Sequence, residues 1–195
     1  MKALIRFWLY SVLDTWFRYR FRTMLNRADD RTKVYLVDID NTLAHSWPSL
    51  QQYVYRNEQH RYASLPIFIG MRNFILDKIR QRHRVVFISA RSYQSYFTTC
   101  NWLLSCGIRA SELILVPGAN LKLFYINYLI SKGIPVVYID DLSYNHEHGE
   151  VRLYDDLIRE VSCMSIDYFG IREIDLINSN DEFTHQNNEK VLQDL

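Results

Sequence analysis

The sequence predicts an α/β domain: a Rossmann-like three-layer α/β/α sandwich on a mainly parallel central sheet. Three observations lead there. From residue 33 onward, short β-rich runs alternate with longer helix-compatible stretches, the order produced when each crossover between parallel strands is a helix. Gly107 and Gly133 stand where two of those stretches end, the position helices commonly reserve for glycine. The length of 195 residues, 48% hydrophobic and 23% charged, suits one domain with a sizeable core and leaves no room for two large ones.

Taken in order, residues 1–30 read as an N-terminal amphipathic helical segment. Leu4, Phe7, Trp8, Val12, Trp16 and Tyr19 make broad apolar faces, with Lys2, Arg6, Arg18, Arg20, Arg22 and Arg27 as cations. Arg6 and Asp14 interrupt the apolar run, which falls short of the roughly 20 uninterrupted residues of a membrane span. No small-residue cleavage site follows, so the segment does not read as a signal peptide. Its aromatic and arginine content suits the interface of a membrane. It suits packing against the domain or a second subunit as well, and packing is the preferred reading. The domain proper spans 31–175. Its strands are predicted at 33–39 (KVYLVDI), 84–89 (RVVFIS), 113–116 (LILV) and 135–140 (PVVYID), and its helices at 72–81, 96–106 and 121–133, each with apolar residues at helical spacing. LYDDLIREV is compatible with a further helix and CMSIDYF with a short strand. Residues 176–195 read as a polar, frayed tail.

One long irregular insertion, from about Leu43 to Met71, separates the first strand from the first crossover helix. Its length allows a flap or a very small cap, not a substrate domain. A net charge of +1 argues against a general polyanion-binding surface. Cys100, Cys106 and Cys163 are odd in number, lack CxxC spacing and sit among apolar residues, which reads as core packing in a reducing, cytoplasmic setting.

The chemistry gathers at strand ends. In VYLVDIDNTLAHSW, residues two apart on a strand share a side, so Asp38 and Asp40 converge where the first strand stops. Carboxyl ends of parallel strands are where open α/β sheets hold ligands. Two carboxylates so close repel unless a cation separates them, and a hard, oxygen-seeking ion such as Mg²⁺ resolves that conflict. Loop aspartates often only cap helices or end turns, but here the next strands end similarly. Ser89 closes the second strand, Lys122 opens the helix after the third, and Asp140, Asp141 and Asn145 follow the fourth. A hydroxyl, an ammonium and further acids thus meet the first acid pair at one edge of the sheet.

In these four motifs, spread over roughly residues 33–145, the chain resembles the haloacid dehalogenase superfamily of phosphohydrolases. That family carries a DxDxT strand end, a Ser or Thr after the second strand, a Lys, and an acidic pair or DxxxD/N after the fourth. The wording DIDNTLA and SAR resembles its polynucleotide phosphatase-like members. The resemblance implies a Mg²⁺-dependent phosphatase with Asp38 as nucleophile, forming an aspartyl-phosphate intermediate. The ion would be held by Asp38, the main-chain carbonyl of Asp40 and an acid of the fourth motif. Asp141 fits that last position best because Asp141 to Asn145 reproduces DxxxD/N, leaving Asp140 as a supporting group. Asp40 would act as acid and then base. Lys122 would supply positive charge and Ser89 a hydrogen bond to the phosphoryl group.

Lys132, the competing lysine, abuts Gly133 at a helix end and reads as a partner of the helix dipole. Arg91 is a candidate substrate contact or a surface residue at a helix entry. Asn41 replaces the glycine of many relatives and tolerates the backbone angles of a sharp exit. Thr42 and Asn145 complete the candidate set. His146 and His148 have metal-binding spacing without a third partner, and a solvated loop is the preferred reading. The second gap, about Arg91 to Asn120, is filled by one helix and one strand, so no large cap fits. By resemblance, such open-faced members act on large substrates such as nucleic-acid ends or phosphoproteins, or close their sites by forming homo-oligomers. The alternative reading is a non-catalytic scaffold of the same fold, held to a membrane or a partner through residues 1–27.

Overall fold

The computed structural model describes residues 2–25, 33–47, 54–109, 112–144, 146 and 150–179. Five strands, β1 (Val34–Val37), β2 (Arg84–Ser89), β3 (Glu112–Leu115), β4 (Val136–Ile139) and β7 (Asp167–Phe169), form one sheet in the order β3-β2-β1-β4-β7. Every pairing is parallel. All four residues of β1 and of β4 are buried, as strands covered on both faces require. A separate two-stranded ribbon, β5 (Ser143–Tyr144) and β6 (Arg152–Leu153), follows β4.

The helices are α1 (Lys2–Leu25), α2 (Glu58–Ser64), α3 (Ile69–Arg80), α4 (Tyr96–Ser105), α5 (Lys122–Ser131), α6 (Asp155–Ser162) and α7 (171–179). With the right-handed sense that parallel crossovers follow, this strand order sets α3 and α4 on one face of the sheet and α5 and α6 on the other. This is the predicted sandwich. Gly107 and Gly133 follow α4 and α5 at φ +77° and +65°, a conformation that costs glycine little and a branched residue much. The chain reverses there into the next strand.

Helix α1 is part of the core. Phe17, Phe21 and Leu25 are buried, Phe17 against Tyr93 and Tyr96, Phe21 against Tyr125 and Tyr128 of α5. Arg20 reaches Glu112 at 2.8 Å and the Tyr96 hydroxyl at 2.9 Å. Among the described residues, no helix is long and apolar enough to cross a membrane.

Some features were not anticipated. The insertion after β1 contains α2, capped by Asn57 Oδ1 accepting from the His60 amide at 2.8 Å. Its ends are joined by Phe68 N donating to Leu43 O and His45 N to Pro66 O, each 2.9 Å. Gln59 fastens α2 to α4: its Nε2 donates to Ser95 Oγ at 3.1 Å and its Oε1 accepts from Thr98 Oγ1 at 2.7 Å. The first residues of the polar tail are helical, in α7, while 180–195 lie outside the described residues. Helix α7 meets α3 at Gly70, where a Cβ would stand 2.5 Å from Ile177 O. Cys163 is exposed rather than in the core, because it caps the C-terminus of α6.

Candidate active site

Register builds the site. Val37 pairs with Ile139 on one side and Phe87 on the other, so the strands beside β1 release their chains level with Asp38. The Asp38 amide still donates to Ile139 O at 2.9 Å, which keeps the residue on the sheet. Beyond it the chain turns within a few residues. Asn41 takes φ +58°, and the Leu43 and Ala44 amides fold back onto Ile39 O at 2.9 and 2.7 Å. Asparagine is among the side chains that tolerate this left-handed angle.

Lys122, at the first turn of α5 and buried, joins two acids. Its Nζ donates to Asp38 Oδ1 at 2.7 Å and to Asp140 Oδ2 at 2.6 Å. The oxygens of Asp140 are further engaged by the Tyr138 hydroxyl and by the Leu142 amide at 2.8 Å. Asp141 is held differently. Thr42 Oγ1 donates to its Oδ1 at 3.3 Å and accepts from its amide at 3.2 Å, while Ser143 Oγ donates to Oδ2. Thr42 thereby ties the turn after β1 to the turn after β4.

Asp38, Asp140 and Asp141 each bring a carboxylate oxygen within 4.8 Å of the others. Among the described residues, three carboxylates against the one Lys122 ammonium leave two negative charges uncompensated in a buried volume. That excess, on an all-oxygen donor set, fits a divalent cation of the Mg²⁺ kind. The acids register the deficit. Burial pushes Asp38 well above the ordinary carboxylate range, with Lys122 opposing and Asp140 adding to the rise. Burial and the neighbouring Asp140 charge push Asp141 up to about 7. Lys122 is raised in spite of burial because Asp140 and Asp38 favour its charged form.

Asp40 belongs to a second cluster. Its carboxylate turns from the three acids to Arg91, whose Nε donates to Oδ2 at 2.8 Å and Nη2 to Oδ1 at 2.9 Å. Ser46 Oγ donates to Oδ1 at 2.6 Å and Ser89 Oγ lies 3.4 Å from Oδ2. Burial acts to raise the carboxyl, but the Arg91 charge and fork override it and hold Asp40 at about 2. Arg91 is itself buried, 4.1 Å above the Tyr62 ring of α2, with Nη1 donating to Thr99 Oγ1 at 3.2 Å. The flap therefore closes on this cluster.

The structure brings Asp38, Asp40, Asn41, Thr42, Ser89, Arg91, Lys122, Asp140 and Asp141 together at the carboxyl edge of the sheet. Asn145 and His148 lie outside the described residues. Lys132 stands away at the end of α5, with Nζ 5.7 Å from the Tyr128 ring centre. His146 departs from the solvated-loop reading: its Nε2 is 2.9 Å from Asn41 Nδ2 and 2.7 Å from Ser143 Oγ. The Trp47 amide donates to Asn41 Oδ1 at 2.8 Å, so this chain of contacts runs from the flap to Asp141. Beside it lies a cavity of about 300 Å³ lined by His45, Trp47, Phe68, Asp141, His146 and Ile174, among others. Tyr138 and Ser143, each two residues from the acid it bonds, and Ser46, six from Asp40, had a local sequence signal in their spacing to those acids, whereas Tyr62 meets Arg91 only through the fold.

No family model matches the sequence, and no curated protein matches it. Among solved structures the chain is similar to the HAD domain of the effector protein Lem4 from Legionella pneumophila, at 16% identity over 71% of this chain and 85% of that one, with a TM-score of 0.35. A likeness of that size carries no weight on activity.

Proposed function

We propose that the protein is a phosphohydrolase that cleaves phosphate monoesters through Asp38 with the help of Mg²⁺. The observation that carries the reading is the buried set of Asp38, Asp140 and Asp141 around a single Lys122, at the carboxyl edge of a parallel sheet. A phosphate ester is anionic, so a carboxylate approaches phosphorus only where the surrounding charge has been neutralised. Asp38, Asp141 and the main-chain carbonyl of Asp40 would hold the cation, with Asp140 steadying Lys122. When bound, the ion neutralises the phosphoryl oxygens.

In the first step an Asp38 carboxylate oxygen bonds to phosphorus as the ester oxygen leaves, giving an aspartyl-phosphate. In the second, water attacks phosphorus, inorganic phosphate departs and the carboxylate is restored. Lys122 holds Asp38 and neutralises charge near it, and Ser89 offers a hydroxyl to a phosphoryl oxygen. Asp40 would be the base that takes the proton from water; with both oxygens engaged by Arg91 and one also by Ser46, it does so only as that fork loosens. Protonating a leaving alkoxide would require it to leave that fork first. Esters of phenols, whose oxygen departs without a proton, are the readier substrates.

The test is release of phosphate from an aryl phosphate with and without Mg²⁺, in wild type and in Asp38→Asn. The expected result is metal-dependent turnover that falls at least about a thousandfold in the variant. Robust turnover by Asp38→Asn removes the nucleophile assignment. Absence of turnover on aryl, nucleotide, sugar and peptide phosphates alike favours the scaffold reading.

A further inference from the structure

We propose that the outward face of α1 is a docking surface for an anionic lipid bilayer. The helix is apolar on two opposite sides. Its inner side, with Phe17, Phe21 and Leu25, is buried in the domain. Its outer side carries Trp8, Val12, Trp16 and Tyr19, all exposed, Trp8 to 72% and Tyr19 to 66%. At 3.6 residues per turn these four fall within an arc of about 80°, and Arg20 and Arg22 flank the middle of that arc at about 80° on either side. Phe97 on α4 enlarges the patch. It is 77% exposed and stacks edge-on against Tyr96, which in turn meets Trp16.

The composition of the face selects its occupant. Trp and Tyr have apolar bodies and a polar atom at one edge, and they gather where a membrane meets water. A stripe of them with cations on both flanks is the pattern of a helix lying in that interface. The helix carries five cations, Lys2, Arg6, Arg18, Arg20 and Arg22, against one acid, Asp14. Arg18 is paired with Asp14 and Arg20 with Glu112, and an excess of positive charge remains. A second copy would present the same excess and be repelled, whereas an anionic surface attracts it. The attachment is rigid. Phe17 stacks on Tyr93, Phe21 packs edge-on against Tyr125, and Arg84 donates to Met24 O, so the aromatic face is held outward by the fold. Tyr10 also meets Tyr93, just beyond Ser89 and Arg91, so the Trp8 end of the stripe is the end beside the reactive edge.

Removing α1 would expose the core, so the test uses substitutions on its outer face. The full chain is sedimented with vesicles of phosphatidylcholine alone and with about one third phosphatidylserine, in wild type and in the triple variant Trp8→Ser, Val12→Ser, Tyr19→Ser. Trp16 remains on the face as a fluorescent reporter, read above the emission of Trp47 and Trp102 common to both proteins. Wild type should partition at least about tenfold more strongly onto the anionic vesicles, with a blue shift of emission, and lose most of that in high salt. The triple variant should bind at least about tenfold less while keeping its melting temperature and its turnover of a soluble aryl phosphate. Equal binding by both proteins overturns the proposal. So does concentration-dependent dimerisation in sedimentation velocity that the same variant abolishes, since the face would then belong to a second copy. The phosphatase reading fails separately, by its own assay.

Discussion

Replacing Lys122 with methionine tests the electrostatic core of the site. The side chains are similar in length and shape, so the change removes charge and two hydrogen bonds, at 2.7 Å to Asp38 and 2.6 Å to Asp140, with little loss of volume. Both acids are buried. Deleting one partner of a buried ionic cluster typically costs about 3–5 kcal/mol, because the remaining charge keeps no compensation. In a chain of this length each kcal/mol lowers the melting temperature by about 2–4 °C, so a fall of about 6–20 °C is expected in metal-free buffer. The pH dependence has a definite sign. A buried carboxyl whose folded pKa lies above its unfolded value of about 4 adds stability below that value and loses it as the pH rises through the folded pKa. The deficit of Lys122→Met therefore narrows from pH 7.5 to pH 5. Mg²⁺ should restore part of it, since the three acids then face no competing ammonium. Adding Asp38→Asn should recover about half of the loss by removing one of the unpaired charges. Urea unfolding of the three proteins at both pH values gives each quantity. If Lys122→Met unfolds at the wild-type urea midpoint at pH 7.5, Lys122 does not neutralise these acids and its place in the chemistry is wrong.

Three further outcomes are expected. Arg91→Met should cost about 1–2 kcal/mol at neutral pH, and the gap from wild type should close as the pH falls from about 4 towards 2, where the depressed Asp40 carboxyl protonates in the native protein; chemical unfolding at pH 7 and pH 3 measures it. Mg²⁺ must displace the proton that burial favours on Asp141 up to about 7 and any that the raised Asp38 retains, so affinity should rise by at least about tenfold per pH unit below 7; calorimetry in buffers of different ionisation enthalpy reads the released protons directly. Gly70→Ala should push α7 from α3, because the new methyl meets Ile177 O at 2.5 Å and Asn178 Cα at 2.7 Å, both backbone. A cost of about 1–3 kcal/mol, read as a lowered melting temperature, is expected.

The sheet was legible because burial on both faces demands runs such as VVFIS and VVYI, and such runs have few other uses. The ends of α4 and α5 were legible through Gly107 and Gly133, whose positive φ is a property of single positions. The juxtaposition of Asp38, Lys122 and Asp140 follows from strand register, so placing the strands placed them. What stayed illegible depends on one loop meeting another. Arg91 was ambiguous between substrate contact and surface until Asp40, Tyr62 and Thr99 closed around it. His146 gained its contact with Asn41 only when the turn after β1 met the chain after β4, beside Trp47 of the flap. Helix α7 has apolar residues at Ile171, Ile174 and Ile177, but the exposed Leu176 breaks that spacing and the helix adjoins the polar tail, which masked its period. Outer and inner faces of α1 were indistinguishable, since both are aromatic.

The central position of β1 separates two kinds of change. Asp38 sits on the strand flanked by β2 and β4, where an amide exchanges with solvent only when the whole sheet opens. The flap is held from outside the sheet, by the bridge of Ala44 and Ile67, the Gln59 contacts, Arg91 over the Tyr62 ring and Trp102 Nε1 donating to Leu65 O, and is expected to open before the sheet does. Exchange of the Asp38 amide should thus track global stability, while amides of α2 exchange far sooner. For the evolution or redesign of substrate preference, the exposed residues of the flap are the permissive positions, whereas its buried Tyr62 and Leu65, like any change beside Asp38, are felt by the fold.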